Sequence, residues 1–379
     1  MKKKVLSLLM AVTLTAGLLV GCGSKDSADT STTDQTTDDA ADAADDTADD
    51  AADDTADAAD DAADAADAET PDEPAAEPVT LNVAYMPNYG SLWSIENAIA
   101  QGYFEEEGIT VNLTQFQDGP TIIAAMESGS IDIGYIGQGA HKLCINGQAT
   151  IFALSHISNS DAVIGGPDVK AAADLKGKKV AYASGTSSED ILVSTLKKEG
   201  MTMDDIEAVD MDPSAIVTAM LSGGVDACAT WVPNSIKILD EMSDATKLTD
   251  NMTFADETVS LASWIAMPAY AKDNRDIIVR FTRALFKAMD YAAKDHQEET
   301  AELVAKEIAQ DKESVYEQCP GAEWLTGKEV AAGASDGTVE FYYKLQRDNF
   351  EAAGAIEVDP IPEVSDYVML DVMTEAGEY

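Results

Sequence analysis

The chain has 379 residues, and its 70 acidic against 24 basic side chains give a formal charge of −46 at pH 7. So large an excess excludes nucleic acid and anionic membrane surfaces as natural partners, because both repel it. Cys144, Cys228 and Cys319 form an odd set without short spacing, which argues against a disulfide framework and for small buried apolar side chains.

The first 22 residues begin with Met1-Lys2-Lys3-Lys4 and continue as an apolar run to Val20. That run is too short and too near the terminus to span a membrane, so it is expected to be a secretion signal. It ends in Leu19-Val20-Gly21-Cys22, which resembles the lipobox of bacterial lipoproteins. The resemblance implies lipidation of Cys22 and anchoring of the mature chain on the extracytoplasmic face of the cell membrane; a soluble secreted chain is the alternative. Residues 23–78 then form an Ala-Asp tract in which 21 acids and Lys25 leave −20, so that with +3 in the signal, 79–379 keeps −29. Such a tract has nothing to bury and repels itself, and is expected to be an extended, disordered tether.

From Val79 the pattern turns globular. The stretch 79–85 alternates as a strand, Met86-Pro87-Asn88-Tyr89-Gly90 reads as a loop, and Ser91 is expected to cap a helix that stops at Gly102. Strands follow at 109–113, 131–135 and 150–156, with a helix led by Gly119-Pro120-Thr121 and another starting after Ile136-Gly137-Gln138-Gly139. The same grammar returns at 162–165, 179–182 and 206–209. Gly223-Gly224-Val225-Asp226-Ala227 echoes Ser128-Gly129-Ser130-Ile131-Asp132, each aspartate lying just after a glycine-marked helix end. Strand-loop-helix units repeated in two blocks predict an α/β chain of two lobes, each with a mostly parallel sheet flanked by helices, and ligands beyond the strands' carboxyl ends. The expected division is 1–22 signal, 23–78 tether and 79–379 folded part, with lobe 1 beginning at 79. Residues 275–297 and 301–309 predict amphipathic helices packed on lobe 1.

Within this frame, Lys179-Val180-Ala181-Tyr182-Ala183-Ser184-Gly185-Thr186-Ser187-Ser188-Glu189-Asp190 reads as strand, hydroxyl-rich loop and helix start. A helix N-terminus there would offer amides, dipole and up to four hydroxyls to one ligand; an ordinary N-cap is the plainer reading. The first arginine in the chain is Arg275, so no guanidinium fork serves an anion at these loops.

The order and spacing of Gly102-Tyr103-Phe104, Glu107-Gly108-Ile109, Ala124-Ala125, Asp174-Leu175-Lys176-Gly177-Lys178-Lys179-Val180, Ala219-Met220 and Trp231-Val232-Pro233, with the two Gly-Asp segments above, carry a family resemblance. They resemble the taurine, aliphatic-sulfonate and nitrate substrate-binding proteins, a family that also includes binding proteins for thiamine-precursor pyrimidines. The resemblance spans about 81–268. It implies a bilobal type II periplasmic-binding-protein fold crossed by the chain near 158–161 and 262–268, with 79–160 and 265–379 as lobe 1 and 161–264 as lobe 2. It also implies a monomeric receptor that hands a small solute to the permease and ATPase subunits of an ABC importer, with no cofactor. The residues that match the family's cleft loops are Asn88, Tyr89, Gly137, Gln138, Ser184, Thr186, Ser187, Ser188, Asp212 and Trp231, with Asp161 and His156 at the first crossover.

Two ligand classes remain open. Three helix starts, near Gln138, Thr186 and Pro213, suit a sulfonate, and Asp161, Glu189, Asp190 and Asp212 suit an ammonium, which together favour taurine or another zwitterion. Trp231 and Tyr89, with Tyr85, Trp93, Tyr135, Tyr182 and Trp264, would suit an aromatic heterocycle such as a pyrimidine or flavin, although core packing explains about half of such aromatics. A sensory or adhesive lipoprotein is the alternative outside transport. Catalysis finds no support: Ser184-Gly185-Thr186-Ser187 is no nucleophile elbow, no P-loop is present, and His141 with Cys144 offers too few ligands for a metal.

Overall fold

The computed structural model describes residues 77–379. The signal, Cys22 and the tether to residue 76 lie outside the described residues. The first sheet contains β1 (Val79–Tyr85), β2 (Ile109–Gln115), β3 (Ile133–Ile136), β4 (Thr150–Ser158), β10 (Leu261–Ala266) and β11 (Ala322–Trp324). The second contains β5 (Ala162–Gly165), β6 (Lys179–Tyr182), β7 (Glu207–Asp210), β8 (Ala227–Thr230) and β9 (Thr246–Asp250). The strand orders are β11-β4-β10-β3-β1-β2 and β7-β6-β8-β5-β9.

Both sheets are mixed rather than mostly parallel. β1 pairs in parallel with β2 and β3, and β6 with β7 and β8. The remaining pairs are antiparallel. The parallel pairs follow from strand-helix-strand units, whereas β5, β9, β10 and β11 join from connections that reverse direction. The second crossing also lies earlier than 262–268. Residues Leu261–Ala266 are a fully buried strand laid between β3 and β4, so the chain returns to lobe 1 between Asp250 and Leu261.

The echoed Gly-Asp segments have one structural job. Asn82 N–H donates to Asp132 Oδ2 at 2.8 Å while Asp132 N–H donates to Asn82 O at 2.9 Å. In the other lobe Lys179 N–H donates to Asp226 Oδ2 at 2.8 Å and Asp226 N–H to Lys179 O at 2.8 Å. Each aspartate clasps one residue of the neighbouring strand, the middle of β1 and the first residue of β6, and so fixes the register of a parallel pair.

Helices begin where side chains satisfy their free amides. Asn88, not Ser91, caps Tyr89–Ala100, and Asp118 caps Gly119–Glu127. At Gly134 an added Cβ would fall 2.6 Å from Ile122 Cγ2 and 2.8 Å from Met126 Sδ, so the helix Gly119–Glu127 lies tightly on β3. The long helix Arg275–Ala292 buries Ile278, Phe281, Leu285 and Ala288, and Phe281 packs on Phe104, Phe152 and Trp264 at 4.9–6.0 Å between ring centroids. It stops five residues short of its expected end, and a separate helix runs Gln297–Glu307. No helix among the described residues is long and apolar enough to cross a membrane.

Candidate functional site

The strand ends of the two sheets face each other across a cleft whose empty space, open solvent included, is about 680 Å³. Lobe 1 contributes Asn88, Asp118, Tyr135, Gly137, Gln138, His156 and Trp324, lobe 2 contributes Thr186, Ser187 and Trp231, and the crossings contribute Ser160, Asp161 and Ser260. The jaws touch at the rim. A Cβ on Gly139 would fall 2.1 Å from the Thr186 carbonyl carbon, and one on Gly185 would fall 3.1 Å from Pro120 Cγ. On the far side a Cβ on Gly321 would lie 3.5 Å from Val232 Cγ2. The two lobes are thus in contact on both sides of the cleft.

Asp161 is the electrostatic centre of the site. Only 3% exposed, its carboxylate accepts from Ser187 Oγ at 2.5 Å, Asn251 Nδ2 at 3.0 Å and Ser260 Oγ at 3.3 Å. Burial pushes its pKa above the usual carboxylate value, and the three hydrogen bonds oppose the shift. Among the described residues no lysine or arginine lines the cleft, while Asp118 does. A ligand group with protons to give, above all an ammonium, answers that arrangement.

The hydroxyl-rich loop divides its work. Thr186 Oγ1 donates to Ala183 O at 2.7 Å and accepts from Ser188 N–H at 3.2 Å, making it the cap of Ser187–Lys198. Ser188 Oγ accepts from Ala183 N–H at 3.1 Å and donates to Ala229 O at 2.8 Å, stitching β6 to β8. Ser184 is exposed and gives its N–H to Asp210. Only the hydroxyl of Ser187 is turned to Asp161, so Ser184 and Ser188 stand apart from the cleft.

Asn88, Gly137, Gln138, Asp161, Thr186, Ser187 and Trp231 line the same cleft. Tyr89 is not among them. Its ring is fully buried against Trp324 at 5.0 Å, because the helix starts at Tyr89 itself and turns that side chain into the lobe. Asp212 also lies outside. It is exposed and caps Pro213–Leu221 through Ser214 N–H at 2.8 Å, and that helix follows β7, the edge strand of its sheet. The third helix start at the cleft is instead Gly119–Glu127, which brings Asp118, Gly119 and Pro120.

Trp324 and Gln318 also line the cleft. Trp324 packs on His156 at 4.7 Å and on Trp93 at 5.0 Å, and donates through Nε1 to Cys319 O at 2.8 Å. Gln318 Oε1 accepts from Tyr89 N–H at 2.9 Å. Burial holds the His156 pKa down at about 3, so its ring is neutral, roughly stacked with Tyr135 at 6.2 Å. His141 is likewise buried and neutral, its pKa lowered to about 3. Among the described residues no group of three or more metal-ligating side chains is assembled.

Comparison with known proteins agrees with this geometry. A Brucella abortus protein provisionally named a binding protein is 29% identical over 304 residues, covering 80% of this chain and 94% of the relative. The taurine-binding periplasmic protein of Escherichia coli is 26% identical over 219 residues, 56% of this chain and 66% of the relative. The solved alkanesulfonate-binding protein of Xanthomonas axonopodis pv. citri, bound to MOPS, has 21% identity and a TM-score of 0.60 over 78% of this chain and 99% of its own. That likeness shows the shared periplasmic-binding-protein fold. Residues 94–299, more than half of the chain, match the family described as NMT1/THI5 like, and the chain belongs to that family.

Proposed function

We propose that this chain is the extracytoplasmic solute receptor of an ABC importer, held at the membrane by a lipidated Cys22 and working by closure of its two lobes on a small solute. The names of its relatives support the transport class. The observation that carries the ligand reading is the cleft's charge: a buried Asp161 without a lysine or arginine on the lining. A bare inorganic anion meets no counter-charge there, whereas an aminosulfonate or another zwitterion sets its ammonium against Asp161 and its anionic end against helix starts and hydroxyls.

A second reading rests on the rings of Trp231, Tyr135 and Trp324 along the same cleft. These surfaces suit an amino-substituted aromatic heterocycle, such as a pyrimidine, whose exocyclic amine would face Asp161. Thermal-shift measurements with taurine, alkanesulfonates, nitrate, pyrimidines and flavins separate the readings, because a solute that binds the folded state raises its melting temperature. Taurine or an aminopyrimidine is expected to act where nitrate and simple alkanesulfonates do not. A strong shift by nitrate would sink the charge argument. For the anchor, Cys22→Ser is expected to move the protein from the membrane fraction to the soluble one, and deletion of 26–69 to leave solute affinity unchanged.

A further inference from the structure

Gln138 faces the cleft from lobe 1 and is 8% exposed. Its carboxamide is oriented by a contact that admits one assignment. Leu261 N–H points at one terminal atom of Gln138 at 3.1 Å. A backbone N–H can only donate, so that atom is Oε1. The same oxygen is met by Gln346, whose contacting atom must then be its Nε2. The Gln346 amide also reaches His141 Nδ1 at 2.8 Å. With one Gln346 N–H given to Gln138, the other goes to His141, which makes Nδ1 an acceptor and places the ring proton on Nε2. Gln346 and His141 are both fully buried.

The chain of assignments runs Leu261 N–H to Gln138 Oε1, Gln346 Nε2 to Gln138 Oε1, and Gln346 Nε2 to His141 Nδ1. Both donors meet the carbonyl oxygen of Gln138, so neither holds its NH2, and Gln138 lines the cleft. We infer that Gln346, on the helix Thr338–Ala352, is a positioning residue. With His141 it holds Gln138 as a fixed hydrogen-bond donor, so the solute must present an acceptor there, a sulfonate, carboxylate or carbonyl oxygen or a ring nitrogen. Asp161 already accepts from Ser187, Asn251 and Ser260 and has lone pairs left for a proton donor of the same solute. The cleft therefore selects molecules carrying both groups. This rests on the cleft being the solute's seat, but the hydrogen-bond geometry itself is testable without any solute.

Nitrogen-15 NMR of the solute-free protein reads the geometry directly. In wild type, His141 is expected as the Nε2–H tautomer at all pH values from 5 to 8. The Gln346 side-chain NH2 is expected to be protected from exchange with water and the Gln138 NH2 to exchange fast. Gln346→Met, close in shape but without donors, should leave the fold intact and give the Gln138 amide more than one environment. A protonated His141 Nδ1, or a protected Gln138 NH2 in wild type, would overturn the inference.

The selectivity is read with taurine, ethanesulfonate and ethylamine, which carry both groups, the acceptor alone and the donor alone. Only taurine is expected to raise the melting temperature. Gln346→Met should weaken taurine about fivefold, the effect of one poorly held hydrogen bond. Gln138→Glu keeps the carbonyl-side contacts but offers no donor, and should weaken it more than about tenfold. Equal shifts from ethylamine and taurine would overturn the acceptor requirement. If none of the three binds, the zwitterion reading fails and the NMR result alone decides the role of Gln346.

Discussion

Lys142 of lobe 1 and Glu189 of lobe 2 meet as an ion pair, Nζ to Oε2 at 3.0 Å, with 17% and 25% of their side chains exposed. Glu189 Oε2 also accepts from Gly185 N–H at 2.9 Å, so the acid is already held in place when the lysine arrives. Pairs this accessible contribute about 1 kcal/mol or less, which is enough to shift a finely balanced opening equilibrium severalfold. Lys142→Met is expected to enlarge the radius of gyration of the solute-free protein in small-angle scattering at low salt. Added salt should enlarge wild type and leave the variant unchanged.

Gly139 predicts a sharper failure. Any side chain there strikes the backbone of Thr186 rather than a movable side chain. Gly139→Ala should fold with a nearly unchanged melting temperature but stay open. Scattering that shows the same compaction as wild type with bound solute would contradict the closed contact described here.

Acid dependence should come in part from Asp190. Burial raises its pKa to about 7, Glu189 and Asp161 add to the rise, and Lys142 opposes it. In the unfolded chain the group titrates near 3.8. The folded state therefore holds the proton more tightly. Its contribution to stability is complete below pH 3.8 and is lost as pH rises through about 7. Asp161 shifts in the same direction. Asp190→Asn is expected to raise the melting temperature at pH 8 and to flatten its decline between about pH 4 and 8, as measured by calorimetry. An unchanged pH profile would refute this assignment.

Trp231 is only partly buried and lies on the cleft wall. Trp231→Ala should weaken binding of whichever panel solute is active by more than about tenfold, with little loss of stability. Thr186→Ala is a different kind of change. It removes a helix cap and should cost about 1 kcal/mol of stability, so Ser187→Ala is the cleaner probe of the Asp161 contact.

Local patterns made much of the lobes legible. Strand-loop-helix repeats located β1 to β7 to within two residues at each boundary, and the Gly-Asp echo marked equivalent clasps in the two lobes. The hydroxyl loop was recognisable as a helix start, but one-dimensional spacing could not say which of its four hydroxyls faces inward. That depended on Thr186 being occupied by backbone groups of its own loop and Ser188 by Ala183 and by Ala229 of β8. Trp324 and Gln346 were illegible for another reason. β11 has three residues, too few for a period, and Gln346 meets Gln138 across 208 positions of sequence. Tyr89 misled because the helix is capped by Asn88, three residues before the expected Ser91, which turns its ring from cleft to core.

The late return of the chain to lobe 1 sets a timetable for folding. β4 pairs with β10 on one edge and β11 on the other, and both are made after the whole of lobe 2. As the polypeptide emerges from its N-terminus, lobe 2 can complete its sheet while the nine residues of β4 wait with two bare edges. A translation stall or truncation before Leu261 thus yields a chain with one finished lobe and an apolar, unpaired strand, the form most exposed to aggregation and proteolysis.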